Sequence, residues 1–216
     1  MLCDKRAGGC GKAFCYVCET DWSKHTQDHF GCNKYTEGVK LKEQKAKKIK
    51  EQLIRYDFYY SRYIDNKKAV EILDQRVRKE IEEKVTKLID YKNLPISELY
   101  FIGEALNTVI SGKNLAKYTY IFGYFMKDNE KKSFFEHEQG ILQYWTEELH
   151  RLLIDDSIDK IINEDNFNNY SDLLTKYKSK VQNIISSIQK YSKGLTDDVE
   201  NIFYSEIDNK IFDEKI

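Results

Sequence analysis

Proline occurs once in 216 residues and glycine ten times. These are the two strongest helix breakers, so their scarcity argues against short strands joined by tight turns and for long uninterrupted helices. No apolar run approaches the roughly twenty residues that span a bilayer, which argues against a membrane partner. Net charge is also lacking, with 35 basic residues against 36 acidic ones. No global field therefore selects nucleic acid or an anionic surface. Cysteine is absent beyond Cys32, and the five present are an odd number with no secretory leader before them. That pattern excludes a disulfide framework and predicts a protein of the cytoplasm, extending to the nucleus, whose thiols stay reduced. A glycine-rich phosphate loop, a Ser-His-Asp arrangement and an H-E-x-x-H helix are all missing.

What is present is a folded, helical composition. Hydrophobic residues make up 41% of the chain, with 16 Tyr and 11 Phe among them, although a third of the residues are charged. The length allows one or two domains with a sizeable core.

The confined cysteines carry the chemistry. Cys15 and Cys18 form a C-x2-C knuckle, His25 follows after six residues and Cys32 after six more. Three thiolates and an imidazole at such spacing are a tetrahedral ligand set for Zn²⁺, because a two-residue gap turns both sulfurs towards one ion. Cys3 and Cys10 form a second, incomplete set that needs two further ligands. The spare His29 reads as a surface loop residue.

The segment F-C-Y-V-C-E-T-D-W-S-K-H, followed by C-N-K-Y, resembles the end of the catalytic second RING-like domain of RING-between-RING ubiquitin ligases, in the Ariadne branch. In that family ubiquitin is carried as a thioester on a cysteine in a domain held by two zincs. The resemblance implies that Cys15, Cys18, His25 and Cys32 bind the later zinc. It also implies that Cys3 and Cys10 are half of the other site, and that the missing ligands and the nucleophile lie upstream of Met1. Cys10 is the rival nucleophile, since Gly8-Gly9-Cys10 is similar to the glycines before the family's catalytic cysteine. No base stands within Gly11 to Phe14 to activate it. Trp22 matches a family tryptophan and is expected to fill core.

Helical periodicity governs the rest. The basic run KLKEQKAKKIK reads as the solvated first turns of a helix, with a core stripe of Ile49, Leu53, Tyr56, Tyr60 and Tyr63. Asn66 marks a break, after which Val70, Leu73, Val77, Ile81, Val85 and Leu88 form a second stripe ending before Pro95. Ser97 is placed to cap the third helix. Its stripe is Leu99, Ile102, Leu106 and Val109, then Leu115, Tyr118, Phe122 and Phe125 beyond a kink or break at Gly112. After a turn at Asp128-Asn129 come Phe135, Leu142, Trp145, Leu149 and Leu152, then a short piece from Ile158 to Ile162. A last helix runs from Tyr170 through Leu174, Tyr177, Val181, Ile184 and Ile188 to Tyr191, with Gly194 as its stop. Aromatic residues such as Tyr56, Tyr60 and Tyr177 are read as core rather than a ligand box.

The fold class expected is mostly α: a small zinc-binding RING-like remnant at 1–35, a linker at 36–48 and an antiparallel helical bundle at 49–216. Arg55-Tyr56 with Phe58-Tyr59, Arg62-Tyr63, Tyr118-Thr119-Tyr120 with Phe122, and Phe135-Glu136 with Gln139 resemble the Ariadne domain that follows the catalytic domain in this family. That resemblance implies a bundle that masks the thioester cysteine until a neddylated cullin-RING ligase releases it. Its partners would be ubiquitin, a ubiquitin-conjugating E2 and that cullin assembly, with no nucleic acid. Glu136 and Glu147 match the family's two masking glutamates, and the masking aromatic aligns near Ile72, where this sequence lacks the ring. The alternative is a non-enzymatic zinc-binding adaptor of cullin-RING ligases.

Overall fold

The computed structural model describes residues 2–3, 8–15, 21–24 and 37–209. The chain divides into two compact units, Met1–Arg55 and Tyr56–Ile216.

In the first unit the described residues make two isolated antiparallel bridges, Leu2 with Ala13 and Phe14 with Asp21. Cys3 N–H donates to the Lys12 carbonyl and Trp22 N–H to the Ala13 carbonyl, both at 3.0 Å. Gly8 and Gly11, between the bridged Leu2 and Ala13, take left-handed backbone conformations, φ 80° and 73°, which glycine adopts without steric cost. Asp21 accepts hydrogen bonds from the Ser23 N–H and hydroxyl, tying down the short 3₁₀ turn Trp22–Lys24. Trp22 is 37% exposed rather than core.

Helix α1 is Glu37–Ile72. Its basic run is solvated as expected, every side chain from Leu41 to Lys50 being exposed. The expected stripe is not the buried one. Ile49, Leu53, Tyr56 and Tyr60 are exposed, and Tyr59 is buried instead. Aromatic residues at 56, 58, 59, 60 and 63 give this helix several apolar faces, so periodicity alone cannot choose among them. Tyr56 and Tyr60 stack on each other, 5.3 Å between rings.

No break occurs at Asn66. Its side chain is buried and its Nδ2 donates to the Arg62 carbonyl at 2.9 Å, a local bond that the helix accommodates. The chain continues through a π-turn, Leu73–Val77, into α2, Arg78–Lys92. Leu73, Val77, Ile81 and Leu88 are buried as expected. Asn93 in the left-handed region (φ 50°) and then Pro95 end the helix, the turn chemistry expected there.

Helix α3, Ile96–Phe125, starts directly after Pro95, so Ser97 lies inside it and caps nothing. It passes through Gly112 unbroken. Beyond that glycine the buried face is Lys113, Ala116, Thr119, Tyr120 and Gly123, while Tyr118 and Phe125 are exposed. Two neighbours crowd this side of α3, Thr146 of α4 against Gly112 and the Tyr59 ring of α1 against Gly123. Helix α4, Glu130–Ile154, is capped by Asn129, whose side chain accepts from the Lys132 N–H at 3.0 Å. Phe135, Leu142, Leu149 and Leu152 are buried as read from sequence, joined by Gln139 and Thr146.

Helix α5 is Ser157–Asn163 and α6 is Phe167–Asn209. Gly194 does not stop α6, which carries its apolar stripe on to Leu195 and Ile202. Helices α3, α4 and α6 pack on one another, and α2 packs on α3 and α5. Contacts between Phe122 and Phe135, Thr119 and Gln139, and Lys113 and Glu147 set α3 and α4 antiparallel. Tyr177 of α6 is buried as expected, donating its hydroxyl to the Leu152 carbonyl of α4 at 3.0 Å. Burial raises its phenol pKa. Among the described residues, no helix is long and apolar enough to cross a membrane.

Candidate functional site

The metal-type residues are only partly within the described chain. Cys18, His25, Cys32 and His29 lie outside the described residues, and Cys15 is buried at 2% exposure. Among the described residues no group of three or more His, Cys, Asp or Glu is gathered to hold an ion. Cys3 and Cys10 are free thiols on either side of the loop that contains Gly8, and Cys3 is near enough to influence the Cys10 thiol. The Cys10 thiol is held below its ordinary range, first by the Lys12 backbone N–H and then by Cys3. Cys3, Cys10 and Cys15 are free thiols, the donor type that zinc takes as thiolate.

The second cluster lies on α4. Glu136 and Glu147 are eleven residues apart, about 16 Å along the axis and close to three turns, so they share one helix face. Each is gripped from another helix. Tyr59 of α1 donates its hydroxyl to Glu136 Oε1, and Lys132 Nζ stands 3.9 Å from the same oxygen. Lys113 of α3 is ion-paired through Nζ with Glu147 Oε1. Its side chain is only 6% exposed, whereas that of Glu147 is 51% exposed.

The Glu147 carboxyl is lowered from 4.5 to about 2. His150 is the largest influence, its Nδ1 standing 3.9 Å from Oε2, followed among the lowering contacts by Lys113. Partial burial opposes both. At 3.9 Å the imidazole is beyond ordinary hydrogen-bond distance. Lys113 is the direct contact. Ile72 stands 55% exposed at the end of α1, immediately before the π-turn.

Lys113, Lys132 and His150 carry no signal in the sequence, and Tyr59 enters there only as part of a family motif, with no role of its own. A lysine in the buried line of α3 gives no apolar signal, and Tyr59 is hidden among four neighbouring aromatics. A tyrosine-glutamate contact 77 residues apart in sequence leaves no local pattern at all.

No family model matches the chain. It is similar to "Probable E3 ubiquitin-protein ligase rbrA" of Dictyostelium discoideum, 30% identical over 204 residues that cover 92% of this chain and 38% of that protein. It is 30% identical over 207 residues to "Probable E3 ubiquitin-protein ligase ARI7" of Arabidopsis thaliana, covering 89% and 35%. With "E3 ubiquitin-protein ligase ariadne-1" of Drosophila melanogaster the identity is 27% over 154 residues, covering 71% and 30%. The chain thus spans about a third of the length of these curated relatives.

Proposed function

We propose, on the premise that this chain belongs to the Ariadne-type family of E3 ubiquitin-protein ligases, that it joins the zinc-binding end of a catalytic RING-like domain to a helical domain that restrains ubiquitin transfer. The observation that carries the reading is the extent of the similarity. A match over 92% of the chain leaves too few residues out to be confined to α1–α6, so it reaches into the cysteine-rich beginning as well.

In the proposed reaction a ligase cysteine thiolate attacks the carbonyl of the E2-ubiquitin thioester and the E2 thiol leaves. A substrate lysine amine then attacks the new thioester, forming an isopeptide bond and releasing the ligase thiol. Cys15, Cys18, His25 and Cys32 would hold a zinc that supplies structure to that domain, with Cys3 and Cys10 contributing to a second site. Glu136 and Glu147, with an apolar contact from Ile72, would form the docking face through which the bundle masks the catalytic domain. A neddylated cullin-RING ligase is the partner proposed to release it.

Two measurements test the reading. Native mass spectrometry of the purified chain should find one tightly held zinc, lost in Cys15→Ser; absence of zinc in the parent would remove the metal assignment. Added in trans to the Dictyostelium relative truncated ahead of its helical segment, the chain should slow E2-dependent ubiquitin transfer. The factor expected is within the roughly five- to 150-fold range of coupled sites. Glu136→Gln with Glu147→Gln should relieve it, since glutamine keeps an acceptor but not the charge. Undiminished transfer in the presence of the parent chain would overturn the masking role.

A further inference from the structure

The two α4 carboxylates assigned above to docking are held by groups that masking itself does not require. The Tyr59 ring is buried on α1, edge-on to Tyr124 at 5.9 Å. It sits against Gly123, where an added Cβ would come within 3.2 Å of the ring. Lys132 Nζ lies over the ring at 5.5 Å. The ring is therefore fixed, and its hydroxyl is a fixed donor aimed at Glu136 Oε1. Lys113 plays the corresponding part for Glu147: an ammonium enclosed in the α3–α4 packing engages Oε1 from below. Both carboxylates remain partly exposed, at 40% and 51% of their side-chain surface. One oxygen of each is tied to the core; the outer oxygen of Glu147 faces His150 Nδ1 at 3.9 Å, and both carboxylates keep exposed surface for a partner.

A glutamate on an open helix face samples many rotamers and loses that freedom on binding, which weakens the contact it makes. A carboxylate already held at one oxygen has lost it beforehand. Both holders come from helices other than α4, so the spacing between the two anions is set by the bundle rather than by chance rotamers. We propose that Tyr59 and Lys113 are positioning residues. They fix Glu136 and Glu147 as a preformed pair of acceptors about 16 Å apart, matched to two cationic side chains on the surface they dock. This rests on the masking role proposed for the two glutamates.

The test uses the full chain in the same trans assay. Tyr59→Phe removes only the hydroxyl and keeps the ring. Lys113→Met removes the ammonium and keeps an apolar stem, and Glu147 can then be solvated. Each variant is expected to need about tenfold more protein for half-inhibition, with an unchanged thermal midpoint. Lys113→Arg should recover most of the potency. If the glutamine variants relieve inhibition while Tyr59→Phe and Lys113→Met inhibit like the parent, positioning is overturned and masking stands. If potency falls only in step with the thermal midpoint, the two residues are structural and positioning is again overturned. If the parent does not inhibit, or the glutamine variants inhibit as it does, masking and positioning fall together.

Discussion

Gly112→Leu should cost roughly 3 kcal/mol of stability, the upper part of the usual range for forcing extra atoms into a packed core. The cause is how closely α3 and α4 approach. A Cβ built at Gly112 would meet Thr146 Oγ1 at 2.6 Å and Cγ2 at 3.2 Å. Thr146 has little room to yield, being 1% exposed with its hydroxyl donating to the Leu142 carbonyl at 2.7 Å. Even Gly112→Ala should destabilise by about 1–2 kcal/mol, although alanine normally gains about 1 kcal/mol over glycine inside a helix.

The sign is the diagnostic. At Gly103 and Gly140, also helical, an added Cβ meets nothing within 4 Å, and alanine there should stabilise by up to about 1 kcal/mol. Urea midpoints of the three alanine variants separate the cases. Adding Thr146→Ala to Gly112→Ala should recover about 1 kcal/mol beyond additivity. Strict additivity would mean that the threonine is not what the glycine makes room for.

How legible this fold was depended on which chemistry did the packing. Where leucine, isoleucine and valine face inward, as along α2, α4 and α6, the stripes read from sequence are the buried ones. They fail where the inward face is made of Gly112, Ala116, Thr119 and Gly123, since close helix approach selects small residues that carry no hydropathy signal. They fail again on α1, where five aromatics within eight residues offer several faces and only tertiary contact selects Tyr59. The helix-stopping rules failed at Asn66, Gly112 and Gly194 for a common reason. In a bundle, tertiary burial outweighs the roughly 1 kcal/mol that one poor helix former costs. The zinc-ligand reading of the cysteines and histidine rests on local spacing alone, and Cys18, His25 and Cys32 lie outside the described residues. The holders of Glu136 and Glu147 were not readable, since they reach across 77 and 34 residues.

Glu147→Ala and Lys113→Met remove opposite halves of one ion pair, and their effects should be far from equal. Without Glu147, an ammonium with 6% of its side chain exposed is left without its carboxylate. Breaking a fully buried pair in this way costs about 3–5 kcal/mol. Because Glu147 is half-exposed and water can partly take its place, about 1–3 kcal/mol is the expected loss here. Without Lys113, the glutamate turns to solvent and methionine fills the space, so stability should change by less than about 1 kcal/mol.

Acidity adds a second signature. The Glu147 carboxyl titrates at about 2 in the folded chain against an ordinary 4.5. A depressed folded value means that its contribution is fully present above pH 4.5 and is lost as pH falls towards 2. The acid limb of the stability curve should therefore be shallower in Glu147→Ala than in the parent over that window, as read from urea midpoints at successive pH values. Equal losses in the two variants, or identical acid limbs, would sink this account of the pair. The asymmetry also bears on function. Glu147→Ala would weaken the proposed masking partly by loosening α3 against α4, whereas Glu147→Gln, which can still accept from Lys113, isolates the charge proposed to serve docking.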